Sequence, residues 1–139
     1  MYLVDTSVWI DYLRGRESPP VVALRELLAG DEAVGITPIV LQEILQGADS
    51  SERFEKWRKY FSGLRCYLPE NLVASHVAAA RLYQSCRRSG KTPRSSNDCL
   101  VAQAAIENAL VLLHDDRDFD SIAAVVRELR LFPLPAGGS

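Results

Sequence analysis

A single α/β/α sandwich around a mainly parallel, five-stranded sheet is the fold this sequence predicts, and two observations predict it. Short apolar runs alternate with longer segments of helical periodicity, the pattern of helices covering both faces of a parallel sheet. Acids also stand directly after two of the apolar runs: Asp5 after Tyr2-Leu3-Val4, and Asp115-Asp116 just past Leu110-Val111-Leu112-Leu113. Parallel sheets bind ligands at the carboxyl ends of their strands, so these acids bear on function as well as on fold.

The elements follow in order. Residues 2–5 form the first strand. Thr6 or Ser7 caps a helix carrying Val8, Trp9, Tyr12 and Leu13, which Gly15 ends. Pro19-Pro20 start a second helix that Gly30 stops. Residues 33–36 are a short strand. Thr37-Pro38 pairs an N-cap residue with Pro at the first helical position, and Gly47 closes that helix. Ser51 opens another, with Phe54, Trp57 and Phe61 at helical spacing. A strand near 65–68 ends at Pro69. Residues 71–89 are a long helix with apolar positions at Val73, Val77, Ala80 and Tyr83, and Gly90 beyond it. Residues 91–95 are a loop, 96–108 a helix, 110–114 a strand, 118–127 a short helix and 130–133 a last strand. One domain thus spans 1–135, and the Ala136-Gly137-Gly138-Ser139 tail is expected to be mobile.

Composition narrows the class. With 139 residues, the chain is long enough to bury a full core. Its 47% hydrophobic and 24% charged residues argue against disorder. No apolar run reaches the roughly 18 residues of a membrane span, and no basic region precedes an apolar N-terminal stretch, so a cytoplasmic protein is expected. Cys66, Cys86 and Cys99 are odd in number and widely spaced, which speaks against a disulfide framework or a zinc site. Cys99 beside Asp98 reads as a small buried apolar side chain rather than a nucleophile.

Four acids carry the chemistry. Asp5 ends the first strand, Glu43 shares a helical stripe with Val40 and Ile44, Asp98 lies in the first turn of a helix, and the fourth position falls within Asp115–Asp118. Each has a plain alternative: Asp5 and Asp98 as helix-start residues, the last cluster as a solvated turn. Taken jointly, they come from four separate elements at one pole of the predicted sheet. Two carboxylates about 4 Å apart repel by about 4 kcal/mol at an effective dielectric of ~20, so such a cluster needs a counter-charge. No His/Cys ligand set competes, which points to a hard ion such as Mg²⁺ or Mn²⁺. Phosphodiester hydrolysis is the natural reaction for such a site.

Here the sequence resembles a known family. Leu3-Val4-Asp5-Thr6-Ser7-Val8-Trp9-Ile10-Asp11 resembles the opening of PIN-domain ribonucleases, especially the VapC toxins of bacterial toxin–antitoxin pairs. Pro38–Gly47 resembles the family's second acidic segment, Arg94–Ala102 its third, and Leu113–Phe119 its fourth, an Asp-x-Asp-Phe element. The resemblance implies a strand order of 3-2-1-4-5. It also implies an Mg²⁺- or Mn²⁺-dependent endoribonuclease with Asp5, Glu43, Asp98 and Asp116 as catalytic acids, of which Asp5, Asp98 and Asp116 hold the metal. Thr6 and Asp118 support the site, and Asp115 is a solvated departure from the pattern. A VapB-type antitoxin and a homodimer are the implied protein partners, and RNA the implied substrate.

Basic residues have two readings each. Arg87, Arg88, Lys91 and Arg94 precede Asp98 and either grip RNA phosphates or, for Arg87 and Arg88, complement a helix C-terminus. Arg53, Lys56, Arg58 and Lys59 alternate with aromatics and read as the solvated face of an amphipathic helix. Trp9, Tyr12, Leu13, Phe54, Trp57 and Phe61 exceed what small helical faces bury, so some of them are expected to line an exposed groove for an antitoxin segment. His114 reads as a hydrogen-bonded strand-end residue rather than a proton shuttle. The alternatives are another α/β metal-dependent phosphohydrolase or a non-catalytic PIN-fold binding module. A haloacid-dehalogenase-type site needs an acid two residues after Asp5, where Ser7 stands. No Gly-x-x-x-x-Gly-Lys-[Ser/Thr] loop exists for a P-loop NTPase.

Overall fold

The structure is a computed structural model that describes residues 1–135; the 136–139 tail lies outside the described residues. Strands β1 (Tyr2–Val4), β2 (Val34–Ile36), β3 (Arg65–Cys66), β4 (Val111–Leu113) and β5 (Arg130–Leu131) form one sheet in the order β3-β2-β1-β4-β5. Every pairing is parallel, so the sheet is wholly rather than mainly parallel. β1 is central: Leu3 pairs with Gly35 on one side and Leu112 on the other. Leu3, Val4, Leu112 and Leu113 are fully buried, as strands covered on both faces must be.

The helices are α1 (Thr6–Leu13), α2 (Pro19–Ala29), α3 (Pro38–Gln46), α4 (Ser51–Ser62), α5 (Leu72–Arg88), α6 (Ser96–Glu107) and α7 (Arg117–Val125). Sequence boundaries hold to within a few residues, and the differences have causes. β3 and β5 are the edge strands, each with a single partner, and they are shorter than 65–68 and 130–133. Asp5, not Thr6 or Ser7, caps α1: β1 runs straight into the helix, and Asp5 is the last residue with extended backbone (φ −75°, ψ 158°). Thr37 caps α3 as expected, its hydroxyl accepting from Val40 N at 3.4 Å with Pro38 in the first turn. In α5 the buried residues are Ser75, Ala79, Leu82 and Cys86, whereas Val73 and Val77 are exposed. The helix turns a different stripe inward because it packs its small residues against α6.

Gly35 is required where β2 meets β3. A Cβ there would run into the Tyr67 ring and lie 2.7 Å from the Arg65 carbonyl oxygen. Tyr67 continues the ladder, its N–H donating to Ile36 O at 2.8 Å. On the opposite side of the chain's first turn, Trp9 meets Phe61 edge-on at 4.9 Å, with Tyr12 and Tyr60 around it. Trp9, Trp57 and Phe61 are buried in this core, while Phe54 is 39% exposed. The expected aromatic groove is therefore divided: three of its residues belong to the interior.

Candidate active site

All strands being parallel, their carboxyl ends share one edge of the sheet. β1 delivers Asp5 there, and β4 leads through His114 to Asp116. α3 supplies Glu43 and the first turn of α6 supplies Asp98. Asp5, Thr6, Ser7, Glu43, Arg94, Ser95, Asp98, Asp116 and Asp118 line a single cleft of about 390 Å³. The four acids singled out by sequence are thus brought together, and so are the two supporting residues, Thr6 and Asp118.

Helix capping builds much of this geometry. Asp5 caps α1, its Oδ2 accepting from Ser7 N at 3.1 Å and from Ser7 Oγ at 2.7 Å. Asp116 caps α7 in the same way, its Oδ1 accepting from Asp118 N at 2.9 Å. Capping and site membership coincide at these two residues: the cap fixes the carboxylate, and the strand end places it in the cleft. Ser7 Oγ also accepts from Asp115 N at 3.1 Å, tying the turn after β4 to the turn after β1. Thr6 Oγ1 donates to Glu43 Oε1 at 2.8 Å, orienting the acid of α3.

Burial and crowding set the electrostatics. Asp5 is 6% exposed and Asp118 is 8% exposed. Burial raises the pKa of Asp5, against the pull of its Ser7 hydrogen bonds. Asp98 is pushed up to about 7, first by burial and then by the charges of Asp5, Asp116 and Asp118. Its Oδ2 is buried with no hydrogen-bond partner. An orphaned carboxylate oxygen of this kind is satisfied either by a proton or by a cation. Asp98, Asp116 and Asp118 each offer an oxygen, and the three atoms lie within 4.8 Å of one another. The donor set, all oxygen, fits a hard divalent ion.

Several placements refine the sequence reading. Asp118 belongs to the tight triad, whereas Asp5 lines the same cleft outside it. Asp115 is exposed. His114 is buried, its Nδ1 accepting from Asp116 N at 3.1 Å, and it does not line the cleft. Arg87, Arg88 and Lys91 are exposed and likewise outside the cleft lining. Arg94 does line it, but its guanidinium bonds acids: Nη2 to Asp116 Oδ1 at 2.9 Å and Nε to Asp118 Oδ2 at 3.3 Å. Burial drives the Cys99 thiol up to about 11, too high for a nucleophile at neutral pH. Ser7 and Ser95 are the site residues that sequence reasoning missed. For Ser7 a signal existed: two residues after a strand-ending Asp is where a capping carboxylate finds its donor.

A parallel α/β sandwich whose strand ends carry a cleft of carboxylates is a domain suited to holding a divalent cation. A family model for the PIN domain matches residues 2–125, and the chain belongs to that family. It is 36% identical over 126 residues to ribonuclease VapC11 of Mycobacterium tuberculosis, covering 90% of this chain and 93% of that one. It is 32% identical to ribonuclease VapC51 of the same organism, covering 98% and 95%. Within the PIN family the chain therefore groups with the VapC ribonucleases. Among solved structures, VapBC-1 from nontypeable Haemophilus influenzae shares the fold with a TM-score of 0.70 at 18% identity, covering 94% of this chain and 96% of that one.

Proposed function

We propose that this protein is an Mg²⁺-dependent endoribonuclease, with Mn²⁺ able to substitute, and that it is the toxin of a toxin–antitoxin pair. The observation that carries the reading is the orphaned Asp98 oxygen within a cleft shared with Asp5, Glu43, Asp116 and Asp118. The similarity to VapC11 and VapC51, both named ribonucleases, supports RNA as the substrate. Solved relatives are VapBC complexes, which supports a VapB-type antitoxin as partner. Among the described residues no helix is long and apolar enough to cross a membrane.

In this mechanism Asp98, Asp116 and Asp118 would hold the ion, with Asp5 completing the acidic wall. A bound divalent ion supplies positive charge to the scissile phosphate and lowers the pKa of water. The chain's own groups do the rest. Ser7 holds Asp5 Oδ2, so that carboxylate does not rotate as substrate enters. Thr6 pins Glu43 Oε1, leaving the acid of α3 oriented to accept the proton of the attacking water. Asp98 would hold the ion in its charged form, which a nearby cation favours.

Two copies are expected to pair, and the exposed apolar residues Leu68, Leu72, Val73 and Val77 offer a face for this. The decisive experiment incubates the protein with cellular RNA in Mg²⁺, in Mn²⁺ and in EDTA, then sequences the new 5′ ends. Discrete ends that vanish in EDTA support the reading. RNA binding without cleavage in either metal would favour a binding module, and cleavage that persists in EDTA would exclude metal-dependent hydrolysis.

A further inference from the structure

We propose that Arg94 is the site's own exchangeable counter-cation: its guanidinium occupies the Asp116 and Asp118 carboxylates and must leave when a divalent ion takes them. The inference rests on the metal-site reading above and adds a residue that competes for that site.

The geometry has two parts. The main chain of Arg94 is fixed, because its N–H donates to Asp118 Oδ2 at 2.9 Å. The head of the same residue spans the two carboxylates, with Nε on Asp118 and Nη2 on Asp116. Yet the side chain is 66% exposed, so nothing packed around it prevents it from turning into solvent. A fixed root and a free head make a side chain able to leave without disturbing the loop that carries it.

The charges make the two occupants incompatible. Arg94 is the sole basic residue among those lining the cleft, and it bonds two of the three carboxylates that bring oxygens within 4.8 Å. An ion bound at ~2.1 Å from those carboxylates would stand within a few ångströms of the guanidinium. Two cations that draw on the same two carboxylates repel and compete for them. The paired state is thus a competitor, and it lowers the apparent metal affinity by the fraction of molecules it holds closed. Asp98 lies outside the clamp: Arg94 makes no bond to it. Its buried oxygen is therefore not taken up by the clamp.

A contrary role is well defined. If Arg94 instead braces Asp116 and Asp118 in the geometry the metal needs, its removal would weaken metal binding. The signs are opposite, so one titration decides. Mn²⁺ binding is measured by electron paramagnetic resonance for the wild type, Arg94→Gln, Arg94→Lys, the neighbouring Lys91→Gln and Asp98→Asn. Arg94→Gln should bind Mn²⁺ roughly fivefold tighter or better. Lys91→Gln, which removes an exposed charge outside the cleft, should match the wild type. Arg94→Lys keeps the charge but loses the fork that spans two carboxylates, so it should fall between. In the wild type, the Arg94 Nε–H nuclear magnetic resonance signal, assigned by its loss in Arg94→Lys, should shift on titration with Mg²⁺. Unchanged or weaker Mn²⁺ binding in Arg94→Gln, with the wild type binding normally, overturns the exchange and leaves the metal site standing. Failure of the wild type to bind Mn²⁺ better than Asp98→Asn overturns both.

Discussion

Helix α1 serves two regions that obey opposite physics. At its start, Asp5, Thr6 and Ser7 enter a cleft of carboxylates that crowd one another. One turn on, Trp9 enters an aromatic cluster with Tyr12, Tyr60 and Phe61 in edge-on contact. In the cluster, burial is the source of stability, because apolar area leaves water. In the cleft, burial is the cost, because charged groups lose water and face like charges. Stability and function thus separate along a single helix of eight residues. Substitutions at its two ends should move them independently.

The largest effect belongs to the aromatic end. Trp9→Ala removes a fully buried side chain and should cost about 3–5 kcal/mol of stability, measured by urea unfolding in EDTA. Trp9 Nε1 is itself buried without a partner. Trp9→Phe removes that orphan together with some volume, so it should cost markedly less. If Trp9→Ala left the urea midpoint unchanged, the cluster would not be the anchor of α1.

The carboxylate cleft, to which α6 contributes Asp98, should behave in the reverse sense. Asp98→Asn keeps shape and removes charge. RNA cleavage should fall by about 10²- to 10³-fold, the scale of removing one electrostatic contact from a transition state. The metal-free protein should be no less stable at neutral pH, because repulsion from Asp5, Asp116 and Asp118 is relieved. Wild-type cleavage by Asp98→Asn would remove Asp98 from the site.

The contrast also has a pH signature. The Asp98 carboxyl is raised from 3.8 to about 7 in the folded chain, so the folded state holds a proton that the unfolded state releases. Its contribution is therefore fully present below about pH 4 and is lost as pH rises towards 7. In EDTA, the wild-type Tm should decline across that window relative to Asp98→Asn. With saturating Mg²⁺ the decline should vanish, since the ion replaces the proton. Parallel Tm profiles for the two proteins in EDTA would show that Asp98 does not titrate in that window.

Sequence revealed the cleft more fully than it revealed the aromatic end, for a physical reason. An acid on an apolar element is anomalous wherever it stands, and the joint placement of Asp5, Glu43 and Asp98 at one edge of a parallel sheet outweighs the helix-start reading that Asp5 and Asp98 each allow singly. The place of Asp118 beside them depends on Asp116 capping α7, which no periodicity encodes. The same holds for Arg94: its position beside the acids was legible, but its pairing with Asp116 and Asp118 requires two loops to meet. An apolar residue carries no such flag. Phe54, Trp57 and Phe61 share helical spacing, and nothing in that spacing tells the buried pair from the exposed residue. The face of helix α5 is equally unmarked: Val73 and Val77 have the right period, but Ala79 and Cys86 are the buried residues.

Phe54 gives the smallest effect on the isolated protein and the sharpest test of what the exposed part of the aromatic end is for. The residue is 39% exposed on α4, one turn before the buried Trp57. Replacing it with Arg should shift folding stability by no more than about 0.5 kcal/mol, as for surface positions away from buried contacts. RNA cleavage should be unaffected, because α4 contributes nothing to the cleft lining. If this surface receives an antitoxin segment, a large aromatic at its centre is the kind of side chain whose loss weakens an interface by ~2 kcal/mol or more. The affinity for the cognate VapB-type antitoxin should then drop about 30-fold or more. The measurement is a titration of the purified protein with the proposed VapB-type antitoxin, run beside a urea unfolding curve. Equal affinity for wild type and Phe54→Arg would leave Phe54 as an incidental exposed aromatic and move the antitoxin's apolar contact elsewhere on the molecule.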